Sequence, residues 1–146
     1  MDEFGPAIYR LSLSKTGNPD LASDIYQQTF LLLLEKKPRF KHKTQLKVWL
    51  LRTARTMSLN ELRRADNNHI AIENAPEPVT SDRYEFEFVD FINSLDVEYR
   101  DVVLLFYIED MSVEDIAKTL DISKAATKTR LHRARKILEA QYEEVL

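Results

Sequence analysis

The chain of 146 residues contains no cysteine, only two glycines and no hydrophobic run of membrane-spanning length. The absence of cysteine excludes disulfides, cysteine-ligated zinc and a thiol nucleophile, and it fits a reducing cytoplasm. Two glycines are too few for a glycine-rich phosphate-binding loop. The leucine-rich run Phe30–Leu34 is far shorter than the roughly 20 residues of a membrane helix, and no signal peptide is visible. We therefore expect a cytoplasmic protein without a membrane span.

The ionisable residues form no recognisable catalytic or metal-binding pattern. His42, His69 and His132 lack metal-ligand spacing. The paired acids at 109–110 and 114–115 suit helix starts and solvated faces. We therefore expect no enzyme, no cofactor and no metal.

The net charge of −3 is distributed unevenly along the chain. Residues 35–64 carry ten basic and two acidic side chains, residues 121–146 carry six and four, and residues 65–120 between them carry three and fourteen. Two basic segments separated by an acidic one predict two contacts with a polyanion, with the acidic segment kept away from it.

Residues 111–137 have the pattern of a helix-turn-helix. Ser112 and Asp115 form a capping box that opens a helix at Val113. The apolar face of this helix is predicted to comprise Ile116, Ala117 and Leu120. Asp121 falls where the turn needs a positive φ, and Ser123 suits the N-cap of the second helix.

The second helix is amphipathic and basic on its polar side. At 100° per residue, the residues predicted to face the core are Thr127, Leu131, Ala134 and Leu138. The residues predicted on the other side are Ala125, Thr129, His132, Arg133 and Lys136. Small residues near the helix start allow entry into a major groove, and Lys128, Arg130 and Arg135 on the flanks suit phosphates. A solvated charged face is the alternative for this helix alone, but the cap, turn and basic helix together favour DNA binding.

The first 64 residues predict three helices. The first contains Phe4 to Leu11 and ends near Gly17. Asn18 and Pro19 open the second, Leu21–Lys36, which Pro38 stops. The third is long, Leu46–Arg64. The predicted core residues of the second helix are Ala22, Ile25, Thr29, Leu32 and Leu33, and those of the third are Leu46, Leu50, Ala54, Met57 and Leu62.

The second helix also carries polar and aromatic groups outside its core face. These groups are Asp24, Gln27, Gln28, Phe30 and Leu31. An exposed aromatic beside carboxamides and a carboxylate indicates a partner surface. The alternative is that Phe30 belongs to the core, which periodicity alone favours.

The basic segment combines cations with aromatic residues. The loop Pro38–Gln45 contains Phe40, and Trp49 lies in the helix that follows. The basic residues of that helix are Lys47, Arg52, Arg55, Arg63 and Arg64. Rings that stack on bases and cations that follow the backbone are typical of single-strand binding. A core tryptophan among solvated arginines remains the alternative.

The fold class expected from these patterns is all-α, with two small helical domains at residues 1–65 and 86–146. Residues 66–85, rich in proline and asparagine, are predicted to be a flexible linker. The second domain should begin with a short helix, Phe86–Leu95. Asp96 should cap the next helix, whose inward-facing residues are Tyr99, Val102, Val103 and Phe106. The tail Glu139–Leu146 should fray.

Three stretches in this order resemble the extracytoplasmic-function (ECF) group of bacterial sigma factors, the initiation subunits of RNA polymerase. DIYQQTF at 24–30 is similar to the D-x-x-Q-E-x-F core-binding motif of that family. LKVWLLRTARTMSLNELRR at 46–64 resembles the helix that melts and reads the minus-ten element. SVEDIAKTLDISKAATKTRLHRARKIL at 112–138 resembles the helix-turn-helix that reads the minus-thirty-five element. The resemblance covers nearly the whole chain.

The resemblance implies three sets of site residues, core RNA polymerase and promoter DNA as partners, and a monomer when free. The residues implied to bind core polymerase are Asp24, Gln27, Gln28 and Phe30. Those implied to bind the minus-ten element are Phe40, Lys43, Lys47, Trp49, Arg52, Arg55, Thr56, Asn60, Arg63 and Arg64. Those implied to bind the minus-thirty-five element are Ser123, Lys124, Ala125, Lys128, Thr129, Arg130, His132 and Arg133. Members of the family are commonly held by an anti-sigma protein, and the sequence identifies none.

The sequence departs from the family pattern at five positions. The replacements are Gln28 for Glu, Thr56 for Asn, Asn60 for Asp, Asp121 for Gly and Thr127 for Val. An unpaired hydroxyl at Thr127 would cost roughly 1–3 kcal/mol unless it bonds to the preceding turn. These departures bear on promoter sequence and affinity more than on the fold.

Two other functions remain as alternatives. A free-standing helix-turn-helix regulator would bind duplex DNA without polymerase, although the sequence offers no heptad for the dimer this requires. A sigma-like adaptor would bind polymerase without promoter DNA, and only the departures at Thr56, Asn60 and Thr127 favour it.

Overall fold

The computed structural model describes residues 3–67 and 94–145, and all regular secondary structure in these two ranges is helical. The predicted all-α fold class is therefore confirmed. The chain divides into two compact units, Met1–Phe91 and Ile92–Leu146. The predicted linker beyond residue 67 and most of the predicted helix Phe86–Leu95 lie outside the described residues. No helix within the described ranges is both long and apolar enough to cross a membrane.

The described part of the first unit, residues 3–67, contains three helices, α1 (Gly5–Thr16), α2 (Pro19–Lys36) and α3 (Lys43–Asn67). Each of the three packs against the other two. Within residues 3–67, the largest fully buried side chains are Ile8, Leu11, Ile25, Leu50 and Leu51. The core of the first unit therefore lies where the three helices meet.

The predicted helix ends of the first unit are confirmed at the junction of α1 and α2. Gly17 takes a left-handed φ of 64°, and its N–H donates to the Leu13 carbonyl. The Asn18 side chain accepts from the N–H groups of Asp20 and Leu21, so it caps α2. Lys37 closes α2 in a left-handed conformation immediately before Pro38.

Helix α3 is longer than predicted and buries partly different residues. It begins at Lys43 and reaches Asn67, rather than running from 46 to 64. Leu62 was expected in the core and is 36% exposed, because α3 extends beyond the shorter α1 and α2 that could cover it. Ser58 is buried instead, with its hydroxyl donating to the Ala54 carbonyl at 2.8 Å.

The second unit, as described from residue 94 to 145, contains three helices. The first is α4 (Val97–Val103), which continues as a π-helical segment Leu104–Ile108, and it is followed by α5 (Val113–Leu120) and α6 (Lys124–Val145). Asp96 occupies the predicted N-cap position of α4, but its side chain accepts no capping hydrogen bond. Among its described residues, the fully buried large side chains are Leu95, Val102, Val103, Leu104, Leu105 and Ile116.

The π-helical segment changes which residues of the α4 helix face the core. The N–H of Glu109 donates to the Leu104 carbonyl, and the N–H of Met111 donates to the Leu105 carbonyl. These wider turns shift the helical phase, so Leu104 and Leu105 are fully buried. Phe106, predicted to pack inward, is only half-buried, and that prediction is wrong for its position.

The predicted helix starts and turn of the helix-turn-helix are present in the structure. The Ser112 hydroxyl accepts the Asp115 N–H at 3.1 Å, and α5 opens at Val113. Asp121 has a φ of 56°. The Ser123 hydroxyl accepts the Ala126 N–H at 3.0 Å and caps α6. The expected fraying after Glu139 is not observed, because α6 continues to Val145.

Candidate polymerase and nucleic-acid interfaces

An exposed row of side chains runs along α2. Asp24, Gln27 and Gln28 are all exposed, and their spacing of three and four places them on one side of the helix. Leu31 and Leu34 continue this row with exposures of 63% and 59%. We call these five residues the α2 stripe. A stripe that combines carboxylate, carboxamides and exposed leucines is suited to hold a protein partner.

Phe30 lies beneath the α2 stripe rather than on it. Its side chain is only 8% exposed, and its ring meets the Tyr26 ring edge-on at a centroid distance of 5.0 Å. The premise that Phe30 is an exposed aromatic is therefore wrong, and the core alternative describes its packing. The apolar part of the stripe comes from Leu31 and Leu34. Leu31 follows Asp24 by seven residues, or about two helical turns, and this spacing predicts that both lie on the same side of α2.

One face of α3 contains half of the ten residues assigned to the minus-ten element. At about 100° per residue, five of them fall within a sector of about 80°. These five are Trp49, Arg52, Thr56, Asn60 and Arg63. Trp49 is half-buried and the other four are exposed, so the face presents cations and polar groups beside one ring.

The aromatic end of this face is built by contact with the preceding loop. The Phe40 ring meets the Trp49 ring edge-on, with 6.1 Å between centroids and an interplanar angle of 63°. The N–H of Lys41 donates to the Gln45 side-chain oxygen at 2.9 Å, which holds the loop against the start of α3. Both rings remain partly exposed, so the pair can offer ring surface to an unstacked base.

Some residues assigned to the minus-ten element lie elsewhere. Lys43 and Lys47 fall on the opposite side of α3 from Arg52. The Lys43 ammonium lies 3.4 Å from the Glu3 carboxylate. Arg55 lies at one edge of the face, and Arg64 lies at the other with its guanidinium 3.4 Å from the Glu61 carboxylate.

The polar side of α6 is exposed as predicted. At about 100° per residue, Ala125, Thr129 and His132 fall within a sector of about 60°, and all three are exposed. Lys128 and Arg133 flank this sector and are also exposed. The opposite side is buried, with Thr127, Leu131 and Ala134 each no more than 2% exposed.

Two basic residues assigned to the minus-thirty-five element contact acids within the second unit. The Nε of Arg130 lies 3.8 Å from a Glu98 carboxylate oxygen, and the Arg130 side chain is half-buried. The Lys124 ammonium lies 4.0 Å from the Glu114 carboxylate, which also lies 3.7 Å from the Lys118 ammonium. Arg130 therefore turns toward α4 rather than toward the exposed sector.

The hydroxyls at the departures from the family pattern are bonded to the helices themselves. Thr127 donates to the Ser123 carbonyl at 3.0 Å, which satisfies the buried hydroxyl and removes the expected cost. Thr56 donates to the Arg52 carbonyl at 3.0 Å. Asp121 takes the positive φ that glycine usually provides.

Within the described ranges no cluster of three or more histidine or acidic side chains is arranged to hold a metal ion.

Comparison with known proteins identifies the family. Sigma-70 region 2 matches residues 1–68, and Sigma-70 region 4 matches residues 85–138. The ECF RNA polymerase sigma factor SigM of Bacillus subtilis is 26% identical over 144 residues, covering 92% of this chain and 88% of the relative. The chain belongs to the ECF group of sigma-70 factors. SigL of Mycobacterium tuberculosis, another ECF sigma factor, is 28% identical over 155 residues, covering 99% of this chain and 87% of the relative.

Solved structures share the fold of this sigma factor. The sigma factor RpoE of Bartonella quintana, in complex with the anti-sigma factor NepR, matches with a TM-score of 0.80 at 22% identity, covering 97% of this chain and 92% of RpoE. CnrH, in complex with the cytosolic domain of CnrY, matches with a TM-score of 0.71 at 24% identity, covering 98% of this chain and 84% of CnrH. The matches extend the family assignment to the three-dimensional fold.

Proposed function

We propose that this sigma factor binds core RNA polymerase, places its two units on the minus-ten and minus-thirty-five elements of a promoter, and opens the DNA strands. The observation that carries the proposal is the exposed face of α3, where Trp49, Arg52 and Arg63 lie along one side of the helix. Such a face suits an opened strand, whereas a regulator of duplex DNA has no need of it.

The α2 stripe is the proposed polymerase-binding surface. Asp24, Gln27 and Gln28 provide hydrogen-bonding groups with fixed spacing, while Leu31 and Leu34 add apolar area that water solvates poorly. The role proposed for Phe30 is indirect, because its buried ring supports the helix from behind. Binding would cover the leucines and leave the α3 face for DNA.

The α3 face is the proposed site for the non-duplex minus-ten strand. Phe40 and Trp49 offer ring surface to a base that leaves the stack, and Arg52 and Arg63 neutralise phosphates. The Thr56 hydroxyl donates to its own helix, so its lone pairs can still accept from a base. Thr56 and Asn60 are therefore proposed to set the minus-ten preference.

The exposed side of α6 is the proposed reader of the minus-thirty-five element. Ala125 is small enough to permit close approach, and the Thr129 methyl can contact a thymine methyl because its hydroxyl is bonded to the Ala125 carbonyl. His132 and Arg133 can donate to base edges, and Lys128 can contact phosphate. A wrong base at a read position should cost about 1–3 kcal/mol.

The proposed mechanism consists of binding steps without bond chemistry. The sigma factor acts in the cytoplasm, needs no cofactor, and uses binding energy to favour the open strands over the duplex. An anti-sigma protein is a further proposed partner, which would cover the exposed leucines of the α2 stripe when polymerase is absent.

Transcription from a promoter library tests the proposal. Purified core polymerase is incubated with randomised promoters, with and without the full chain, and the initiated transcripts are sequenced. We expect initiation only with the sigma factor, at sites that share two motifs with a constant spacing. A variant carrying Arg52→Gln and Arg63→Gln on the α3 face should lose initiation but keep polymerase binding.

The other outcomes identify the alternative functions. Polymerase binding without initiation at any site would indicate the adaptor. Binding to duplex DNA with no affinity for polymerase would indicate a free-standing regulator, and the assignment of the α2 stripe would then be wrong.

A further inference from the structure

A cluster of two rings and one guanidinium links the π-helical segment to α6. The Arg135 Nε donates to the Tyr107 phenol oxygen at 2.6 Å. The Arg135 Cζ lies 5.4 Å from the Phe106 ring centroid and 5.8 Å from that of Tyr107. The two rings meet edge-on at 4.9 Å. We call Phe106 and Tyr107 the aromatic seat of Arg135.

The π-helical segment creates this seat. In an uninterrupted α-helix, Phe106 and Tyr107 would follow Val102 and Val103 by four residues and share their buried face. The wider turns bury Leu104 and Leu105 instead and leave Tyr107 50% exposed. Wide turns of this kind occur frequently at functional sites. As a result, neither aromatic ring is fully buried, and both lie beside α6, where they contact Arg135.

Arg135 lies on the edge of α6 that also carries Lys128. The two residues are seven positions apart, so they differ by about 20° around the helix and about 10 Å along it. Both side chains are exposed. Their edge adjoins the sector of Ala125, Thr129 and His132, and the edges of a helix in a major groove face the phosphate backbone.

We propose that Arg135 binds a phosphate of the promoter backbone beside the minus-thirty-five element, and that Tyr107 is the positioning residue that aims it. The inference rests on the proposed function of α6. The Tyr107 oxygen accepts the Nε–H, and no other side chain in the described ranges hydrogen-bonds to the two terminal NH₂ groups of Arg135, which can therefore donate to a phosphate. Because the seat fixes the side chain in advance, less conformational entropy is lost when DNA binds.

Arg130 and Arg135 of α6 therefore have different roles. Arg130 is half-buried, and its Nε lies 3.8 Å from the Glu98 carboxylate. The negative charge of Glu98 opposes the approach of a phosphate to Arg130. Arg135 contacts two aromatic rings and a phenol, and no acidic side chain within residues 3–67 and 94–145 forms an ion pair with it. Its full positive charge therefore remains for the backbone.

The test is duplex binding by the full chain at several salt concentrations. The probe is a fluorescent duplex that contains the minus-thirty-five sequence selected in the transcription experiment, and a scrambled duplex serves as its reference. The variants are Arg135→Gln, Arg135→Lys, Tyr107→Phe and the double variant Tyr107→Phe with Arg135→Gln. The matched controls are Lys15→Gln, in the last turn of α1 and outside both basic segments, and Tyr99→Phe on α4.

Each variant has a distinct expected result. Arg135→Gln should weaken both duplexes to a similar extent, by roughly 5- to 10-fold, and lower the slope of log affinity against log salt by about 0.9. Arg135→Lys should retain the slope and lose part of the affinity. Tyr107→Phe keeps the ring and all charges, so affinity should fall roughly threefold with an unchanged slope. In the Arg135→Gln background it should cause no further loss.

Two results would overturn the inference while leaving the proposed function intact. In the first, the wild-type protein prefers the selected duplex, but Arg135→Gln has the same slope of log affinity against log salt as the wild type. The other is a Tyr107→Phe loss that persists in full without Arg135, because Tyr107 would then act independently. Equal wild-type binding to both duplexes would instead overturn the function proposed for α6, and this inference with it.

Discussion

At the scale of single residues, two factors decide which side chains the first unit tolerates. They are the space left between neighbouring helices and the hydrogen bonds available to buried hydroxyl groups. Gly5 opens α1 against Tyr26, where an added Cβ would lie 2.8 Å from the ring Cε2 atom. The Thr29 hydroxyl donates to the Ile25 carbonyl at 2.7 Å, whereas the buried Ser12 hydroxyl has no hydrogen-bond partner among the described residues. The two hydroxyls therefore differ in what their removal should do to stability.

Replacing Gly5 with alanine should destabilise the first unit. The new methyl group would force the Tyr26 ring away from its contact with Phe30, at a cost of about 1–3 kcal/mol in the free energy of unfolding. Urea unfolding followed by the fluorescence of Trp49, the only tryptophan, measures this cost. In a Tyr26→Leu background the same substitution should cost less, and an equal cost in both backgrounds would contradict the steric account.

Replacing Ser12 with alanine should stabilise the same unit. An unpaired buried hydroxyl carries a desolvation penalty of about 1–3 kcal/mol, so Ser12→Ala should raise the free energy of unfolding by about 1 kcal/mol. Ser58→Ala is the matched control, because that hydroxyl is buried but donates to Ala54. It should lower the free energy of unfolding by about 1 kcal/mol. A loss in both variants would show that Ser12 is satisfied.

At the scale of elements, each helix divides its residues between a covered side and a side available to partners. In α2 the covered side includes Ala22, Ile25 and Phe30, and the available side is the α2 stripe. In α6 the covered side includes Thr127 and Leu131. The covered sides set stability, so substitutions on the exposed sides should change binding while the helices remain folded.

Leu31→Asp should separate polymerase binding from folding. Leu31 is 63% exposed, so the substitution should change the unfolding temperature little. A charge in the middle of an apolar contact should weaken core polymerase binding at least tenfold. Lys36→Asp introduces the same side chain about 140° around α2 and should leave binding near the wild-type value. Equal binding by both variants in a pull-down titration would remove the α2 stripe from the interface.

At the scale of the whole molecule, charge is segregated along the chain. The strongly basic residues 35–64 fold into the end of α2, the loop and most of α3, while the second basic segment forms α6. The acidic residues between them include α4 and α5. The division gives each of the two compact units its own proposed DNA face, and the acidic segment discourages indiscriminate contacts.

Substitutions on the two DNA faces should act independently. Arg52→Gln should slow strand opening about tenfold without changing minus-thirty-five binding, and His132→Ala should weaken minus-thirty-five binding about tenfold. The double variant should lose about 100-fold in transcription, because the two residues lie in different units. A fluorescent base analogue in the minus-ten element measures opening. A change in opening caused by His132→Ala at saturating DNA would contradict the separation.

Local chemistry made much of the fold predictable from the sequence. Asn18 and Ser123 cap helices because their side-chain oxygens reach backbone N–H groups two or three residues away. The buried and exposed sides of α5 and α6 were predictable because the repeat of about 3.6 residues per turn is a property of the helix alone. The exposed positions Ala125, Thr129 and His132 were predictable for the same reason, because they lie opposite a continuous apolar face.

By itself the sequence determined the all-helical class, most helix ends and the sides of α6, because those features depend on residues close together in the chain. Only the tertiary structure decided that Phe30 is buried and Leu62 exposed, because coverage depends on how far neighbouring helices extend. It also decided that Arg130 meets Glu98 while Arg135 rests on Phe106 and Tyr107. These partners lie about 30 residues away in the sequence, so helical periodicity cannot predict the contacts. In addition, the π-helical turns that present Phe106 and Tyr107 shift the phase of the helical period.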